Sequence, residues 1–312
     1  MWYFYRKYDN EDLDNLIEQI NGIFCSIFVQ KEYEYPAWME EVKLKGDFEA
    51  FKQAYELSTG EEKRKLSSTF ELNIQIESIC SMEVEPVSYE ELLLSASDEF
   101  CGCLDKLKSI QTYLYENLLK LKGMQETVGT LKNYYEKFYS EAIEFVCPFC
   151  GLDNMLTKKD EFREAFDHYL PRSKYPFVSF LRENLFPICH TCNSTYKGDK
   201  NPRDFGKAFY PFTTESNDCE LVFKVRAGVI EDMEISSEKF LEEIETWNAL
   251  FGIKNRITNF AEVNLNGWMS NVQEAMKNYN VDYDHARNAE ISGCNPKMQD
   301  HKFVKKAILK AL

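Results

Sequence analysis

The sequence lacks any long apolar stretch. No run of 18 apolar residues occurs in the 312-residue chain, which predicts that it has no membrane-spanning helix. The aromatic start, residues 1–8, has neither the apolar core nor the small-residue cleavage site of a signal peptide. We therefore expect a cytoplasmic protein with no membrane partner.

Nucleotide-binding motifs and internal repeats are also absent. The chain contains neither a Walker-type loop nor a dinucleotide-binding fingerprint, so any ATP hydrolysis has to come from another protein. No segment has the composition of a disordered chain. With 44% apolar and 14% aromatic residues, the composition is typical of a globular protein of two or three domains.

Positive charge is scarce outside one segment. The chain has 37 Lys and Arg against 52 Asp and Glu, a net charge of −15. Residues 143–210 hold ten of the basic and nine of the acidic residues, so the rest of the chain carries the negative excess. Such a surface repels nucleic acid. We expect a partner to deliver any nucleic-acid substrate; the alternative is that the acidity only maintains solubility.

Four of the ten cysteines form two pairs with the spacing of metal knuckles, Cys147–Cys150 and Cys189–Cys192. Four sulfurs close a tetrahedral zinc site with no position left for water, so we expect the zinc to be structural and to stabilise the fold. The remaining cysteines show no framework spacing and are predicted to be reduced thiols, mostly buried: Cys25, Cys80, Cys101, Cys103, Cys219 and Cys294.

The segment between the two pairs carries residues suited to catalysis. Asp167 offers a hard oxygen for a divalent cation, and the adjacent His168 has an imidazole that can take a proton near neutral pH. Asn193 follows the second pair directly and adds a neutral oxygen at the turn that this knuckle fixes.

In this order of residues the chain resembles the HNH endonucleases, also called the ββα-metal or His-Me finger superfamily. The matching elements are the Asp167-His168 pair, Asn184-Leu185, and the stretch from Cys189 to Gly198, which reads CHTCNSTYKG. The resemblance covers residues 143–210, about a fifth of the chain. It implies a two-stranded hairpin followed by a helix.

The resemblance also implies roles for individual residues. His168 would be the general base that deprotonates water, and Asp167 with Asn193 would hold one catalytic Mg²⁺ or Mn²⁺. Asn184 would tie the hairpin loop so that His168 points at the phosphate. Many family members have His where this chain has Asn193, and the amide favours a hard cation over a transition metal.

Basic residues close to these positions are candidates for holding phosphate. Four are predicted to bind substrate: Arg172, Lys174, Lys197 and Lys200. Two more, Arg182 and Arg203, lie in the same segment and are further candidates.

We predict a mostly α fold with a small α+β insert. A helical amino-terminal domain (residues 1–142) precedes the ββα-metal nuclease module with its four-cysteine zinc site (143–210), and a β-hairpin with helices follows (211–312). In the first range, apolar periodicity predicts helices at 11–28, 48–57, 104–121 and 126–145 after a short strand at 1–6.

The module and the last range have strand patterns as well. In the module we expect strands at 162–169 and 184–188 and a helix from Asn193. Alternation predicts strands at 219–225 and 229–235 joined by a turn at Ala227-Gly228, and helices at 238–251, 253–277 and 300–312.

Two apolar patterns permit alternative interpretations. The stripe on the 104–121 helix favours packing within the chain, but a coiled coil with a partner remains open: Leu104, Leu107, Ile110, Leu114, Leu118 and Leu121. An aromatic cluster on the next helix fits the core better than stacking on unpaired bases: Tyr134, Tyr135, Phe138 and Tyr139.

Three functions follow. The first is a metal-dependent HNH endonuclease acting on DNA. The predicted hairpin at 219–235 and the stretch 247–251 weakly resemble the tails of HNH effectors of bacterial antiphage operons, which implies an ABC- or SMC-like ATPase as a partner. The alternatives are a stand-alone HNH restriction enzyme for modified DNA, and a zinc-fold module that binds nucleic acid or protein without cleavage.

Overall fold

A computed structural model describes residues 1–5, 10–39, 43–117, 120, 131–142, 146–157, 159–160, 164–294 and 301–312. Parts of several predictions lie outside these ranges. They are the end of the 1–6 strand, Leu118 and Leu121 of the apolar stripe, residues 126–130 and 143–145 of the following helix, residues 162–163 of the first module strand, and residue 300. The side chains of Tyr134 and Phe138 are also outside the description.

The described chain is mostly helical and contains two small antiparallel sheets, which confirms the predicted fold class at that level. The amino-terminal part holds seven described α-helices: α1 Glu11–Phe28, α2 Lys43–Leu57, α3 Gly60–Asn73, α4 Ile76–Cys80, α5 Tyr89–Leu93, α6 Asp98–Asn117 and α7 Leu131–Ala142. Helix α1 has the predicted bounds. The sequence reasoning did not identify α3, α4 and α5.

The start of the chain does not form the predicted strand. Residues 1–5 run without sheet pairing, and their backbone groups bond to loops: Trp2 N donates to Pro148 O at 2.8 Å and Tyr5 N to Pro211 O at 2.8 Å. The indole of Trp2 also donates to Cys150 O at 3.1 Å. The aromatic start therefore packs on the first cysteine knuckle instead of pairing with a strand.

The apolar stripe of α6 packs inside the chain. Leu104, Leu107, Ile110 and Leu114 are all buried, as intramolecular packing predicts. On α7, Tyr135 is buried and donates its hydroxyl to Leu156 O at 2.6 Å. Tyr135 is thus part of the core and cannot stack on a base.

Each sheet is a single hairpin. Strand β1 (Phe166–His168) pairs with β2 (Leu185–Pro187), and β3 (Glu220–Arg226) pairs with β4 (Val229–Ser236). The β3–β4 turn is at Ala227 and Gly228, with φ of 50° and 74°, a conformation typical of tight hairpin turns. The strands of the first hairpin are shorter than predicted.

Four α-helices follow the second hairpin in the described part of the chain: α8 Leu241–Phe251, α9 Ile253–Tyr279, α10 Tyr283–Ser292 and α11 Lys302–Ala311. Only α10 was not predicted. None of the helices in the described ranges has the length and apolar content that crossing a bilayer requires.

One contiguous core joins the three predicted ranges. It includes Phe48 of α2, Phe186 of β2 and Trp247 of α8. Aromatic rings connect these regions directly, since Phe186 lies 5.7 Å from Tyr5 and 6.2 Å from Phe212. The β1–β2 hairpin is therefore supported from both sides, whereas the division into three domains remains a prediction.

Candidate functional site

The four cysteines of the two predicted pairs lie together and are buried, with their sulfurs within 4.8 Å of one another. The sulfurs of Cys147 and Cys192 are 3.9 Å apart, and those of Cys150 and Cys189 are 3.8 Å apart. Zinc bonded to four sulfurs at about 2.3 Å in a tetrahedron places them about 3.8 Å apart. The cluster can therefore hold a zinc ion.

Backbone amides and a tight turn shape the knuckles. Leu152 N donates to Cys150 Sγ and Cys192 N to Cys189 Sγ, both at 3.4 Å. Gly151 has φ of 67°, and a Cβ there would come within 2.7 Å of Phe303. Only glycine fits this position, which turns the first pair inward.

Arg256 of α9 contributes a positive charge to the cluster. Its Nη1 lies 3.3 Å from Cys192 Sγ, and its guanidinium stacks 4.5 Å from the ring of Tyr196. Burial opposes the charge, but the sulfurs of Cys192 and Cys150 outweigh it and raise the pKa of Arg256. Sequence reasoning missed this residue because it lies far along the chain and belongs to no spacing motif.

The first hairpin and the second knuckle place the remaining site residues. In the β1–β2 pair, Asp167 is opposite Phe186 and His168 opposite Leu185. The π-helix Thr191–Lys197 begins within the second cysteine pair and ends at Gly198, which has φ of 50°. The order of elements is strand, strand, helix.

The imidazole of His168 is oriented by a backbone carbonyl. Its Nε2 lies 2.9 Å from Ser179 O, and a carbonyl can only accept, so Nε2 carries the proton. No described residue bonds Nδ1, whose lone pair is available in the neutral ring. Burial and then the charges of Arg172 and Lys197 lower the pKa of His168 to about 4, which keeps the ring neutral at pH 7.

Tyr115 of α6 packs on this imidazole. The two ring centroids are 4.5 Å apart, and the guanidinium of Arg172 lies 4.5 Å from the centroid of Tyr115. No pattern in the sequence indicates this contact, because Tyr115 belongs to a helix more than 50 residues before the hairpin.

Asp167 and Lys197 form a buried ion pair. Lys197 Nζ lies 3.1 Å from Asp167 Oδ1 and donates to His168 O at 2.7 Å. Burial raises the pKa of Asp167 to about 6, although Lys197 pulls it down. Lys197 is only 2% exposed. Lys197 is thus buried in an ion pair, and its predicted binding of phosphate stays a prediction.

Asn184 ties the loop that connects the two strands. Its Oδ1 accepts from Leu170 N at 2.8 Å, and its Nδ2 donates to Leu170 O at 3.0 Å and to Val178 O at 3.2 Å. Asn193 is half-buried on the π-helix, four residues before Lys197. That spacing places Asn193 and Lys197 on one side of the helix.

Comparisons with known proteins give one partial match. Protein ea31 of Escherichia phage lambda is 38% identical over 97 residues. These residues are 31% of this chain and 28% of that protein's length. No family model matches the chain, and no solved structure matches it. The name of the phage protein states no activity, so functional arguments rest on the geometry of the site.

The predicted phosphate-binding residues divide into two groups. Arg172, Lys174 and Lys200 are at the surface, where Arg172 lies 3.9 Å from Glu116 and Lys174 lies 3.5 Å from Asp204. The two further candidates make contacts within the fold. Arg182 is buried 3.2 Å from Asp14. The guanidinium of Arg203 donates to Ile79 O at 3.0 Å and to Val84 O at 2.7 Å.

One carboxylate oxygen in the site has no partner among the residues that the structure describes. Asp167 Oδ2 is buried and accepts no hydrogen bond from any of them. Such an atom is costly unless something neutralises it, and a carboxylate is a preferred ligand of Mg²⁺ and Mn²⁺. In its chemistry, this single oxygen is suited to a hard divalent cation.

Proposed function

We propose that the chain is a metal-dependent endonuclease of the HNH kind that hydrolyses phosphodiester bonds in DNA. One observation carries this proposal: His168 is held through Nε2 on the Ser179 carbonyl, with Nδ1 left to accept a proton, at the end of a strand that also bears Asp167. A general base needs this combination of a fixed ring and an unprotonated nitrogen.

Each residue of the site has a role in this reaction. Nδ1 of His168 takes the proton of the attacking water, which becomes the nucleophile at phosphorus. Asp167 Oδ2 and the side-chain oxygen of Asn193 would hold one Mg²⁺ or Mn²⁺. When bound, the ion supplies positive charge for the phosphate and the leaving 3′ oxygen.

Other residues would bind the DNA or orient the catalytic side chains. Asn184 fixes the loop between β1 and β2, and with it the Ser179 side of the imidazole. Arg172, Lys174 and Lys200 provide surface charge for the DNA backbone. Zinc on the four cysteines would fix the second knuckle and hence the position of Asn193.

The charge distribution supports a role inside a larger assembly. The chain has a net charge of −15, so its intrinsic affinity for DNA is low. We propose that it is the nuclease effector of a bacterial antiphage defence system in which an ABC- or SMC-like ATPase delivers the DNA. Co-purification with such an ATPase and its stimulation of cleavage test this part.

A module that binds without cleaving is the second candidate. The observation in its favour is the Lys197–Asp167 ion pair, which engages Oδ1 of the carboxylate that would bind the catalytic metal and places a positive charge beside it. The third alternative, a stand-alone restriction enzyme, predicts cleavage of modified DNA without any partner.

The deciding experiment is cleavage of supercoiled plasmid by the full chain, with Mg²⁺, Mn²⁺ or EDTA and with modified and unmodified DNA. We expect metal-dependent nicking by the wild type and a rate lower by about 10² to 10⁴ for His168→Ala. His190→Ala is the matched control, since His190 is exposed on the knuckle. All three samples should contain equal zinc.

Two results would contradict the proposal. Undiminished cleavage by His168→Ala would show that His168 is not the general base. No cleavage by the wild type on any of these substrates, with and without the ATPase, favours the binding module.

A further inference from the structure

Helix α6 passes behind the imidazole of His168 and contacts it by two routes. Tyr115 packs its ring directly on the imidazole. Four residues earlier, the carbonyl of Gln111 accepts a hydrogen bond from Ser179 Oγ at 3.3 Å. Ser179 is the residue whose own carbonyl holds Nε2 of His168. Because residues four apart lie on one face of a helix, a single face of α6 supports the ring.

Tyr115 also contacts Arg172, one of the predicted phosphate-binding residues. The guanidinium of Arg172 lies 4.5 Å from its ring centroid, a distance at which a cation is attracted to an aromatic face. Among the described residues, Arg172 also forms an ion pair with Glu116 at 3.9 Å, and both of these side chains are more than 40% exposed. Exposed ion pairs contribute little to stability. Of these two contacts of Arg172, Tyr115 is the one that also touches His168.

We propose that α6 forms one wall of the active site and that Tyr115 is a positioning residue. It keeps the imidazole of His168 in place and holds Arg172 beside it, so that a phosphate bound by Arg172 lies against the general base. This inference rests on the proposed nuclease function. It assigns a part of the reaction to the amino-terminal helical range, outside residues 143–210.

A double-mutant cycle tests the coupling to Arg172. The variants are Tyr115→Ala, Arg172→Ala and the double variant of the full chain, with Tyr115→Phe as the conservative replacement. Affinity for a short DNA duplex is measured with Ca²⁺, and the single-turnover cleavage rate with Mn²⁺. Tyr279→Ala is the control, because Tyr279 is 77% exposed at the end of α9.

We expect Tyr115→Ala to weaken DNA binding by about 2- to 5-fold through the lost cation–π contact. In the Arg172→Ala background the same change should have no further effect on binding, since residues that act through one contact are not additive. The cleavage rate should fall in both backgrounds, because His168 loses its support. Tyr115→Phe should recover most of both losses.

A second measurement does not depend on DNA. The ring of Tyr115 lies close enough to shift the imidazole proton resonances of His168, which are assigned by their loss in His168→Ala. At a fixed pH of about 8, where the ring is neutral, these resonances should move in Tyr115→Ala and stay near their wild-type positions in Tyr115→Phe.

Three results separate the possible failures. Equal binding losses for Tyr115→Ala in both backgrounds would overturn the coupling to Arg172. Unmoved His168 resonances in Tyr115→Ala would overturn the contact with the base. A wild-type chain that neither binds nor cleaves DNA, with and without the ATPase, would contradict the proposed function instead. The resonances would then still decide whether α6 supports the ring.

Discussion

Nζ of Lys197 lies 3.1 Å from Oδ1 of Asp167, and the two side chains are 1% and 5% exposed. The ammonium group also donates to the carbonyl of His168, so one lysine connects the π-helix to both residues of the Asp-His pair. A charge buried to this degree requires its partner.

Replacing Lys197 by Met should destabilise the fold by about 3–5 kcal/mol, because it leaves the Asp167 carboxylate buried without a counter-charge. The added change Asp167→Asn should restore part of this loss. Urea unfolding measures the free energy of unfolding of the single and the double variant. Lys200→Met, at an exposed position three residues away, should stay within about 0.5 kcal/mol of the wild type. Equal unfolding midpoints for the Lys197 and Lys200 variants would contradict the importance of the pair.

Asn184→Ala should cost at least about 1–3 kcal/mol, since it leaves the buried amide of Leu170 without an acceptor. Asn184→Asp should be no better, because a carboxylate cannot donate to the carbonyls of Leu170 and Val178. Thermal unfolding measures the stability of each variant, and plasmid cleavage measures the effect of the change on the activity that depends on His168. Asn264→Ala is the control, as Asn264 bonds only within its own helix among the hydrogen bonds described. A stable and fully active Asn184→Ala would show that the loop does not depend on this side chain.

Arg256→Met should weaken zinc binding by about 10- to 100-fold, the usual effect of losing a group that bonds to a metal ligand. The reason is that Arg256 offsets negative charge on Cys192. Zinc release to a chromogenic chelator measures the effect, with Lys254→Met as a control on the same helix. An unchanged release rate would mean that the knuckle amides suffice to stabilise the sulfurs.

The stability of the amino-terminal helices should depend on pH through Glu62. Its Oε1 accepts from Ser97 N and its Oε2 from Thr59 N, at 2.9 Å and 2.8 Å. Burial alone would raise the pKa of Glu62, but these hydrogen bonds outweigh it and lower the pKa to about 2. The folded chain therefore binds fewer protons than the unfolded chain between about pH 4.5 and 2.

The contribution of Glu62 should be complete above about pH 4.5 and disappear as the pH falls toward 2. Unfolding curves of wild type and Glu62→Gln from pH 7 to 2 measure it as a difference that shrinks with acidity. Glu61→Gln, an exposed neighbour, should show a constant difference near zero. A gap between wild type and Glu62→Gln that is the same at pH 7 and pH 2 would contradict the assignment.

Local patterns predicted the parts of the fold that are locally determined. Helix α1 and the β3–β4 hairpin match their predicted positions closely, because apolar periodicity and turn residues specify them. The four-cysteine cluster could be predicted for the same reason, since two short spacings in the sequence place four sulfurs around one point. Helix α3 was missed because it has few apolar residues, although the capping box of Thr59 and Glu62 marks its start.

Contacts between distant segments could not be predicted in this way. Tyr115 reaches His168 from α6, and Arg256 reaches Cys192 from α9. The inward direction of Lys197 depends on the buried Asp167 and not on its own neighbours in the sequence. Burial of the remaining cysteines was only partly as expected: Cys80, Cys103 and Cys294 are buried, whereas Cys25 is exposed.

The groups that surround the cysteine cluster are synthesised at different times. Arg256 follows Cys192 by 64 residues, and Trp247, whose indole donates to the carbonyl of Phe149, follows that residue by 98. At about 5–20 residues per second, a ribosome takes roughly 3 to 13 s to proceed from Cys192 to Arg256. The cysteines and the Asp-His pair are therefore synthesised before the groups that pack against them. The site is complete only after helices α8 and α9 have left the ribosome.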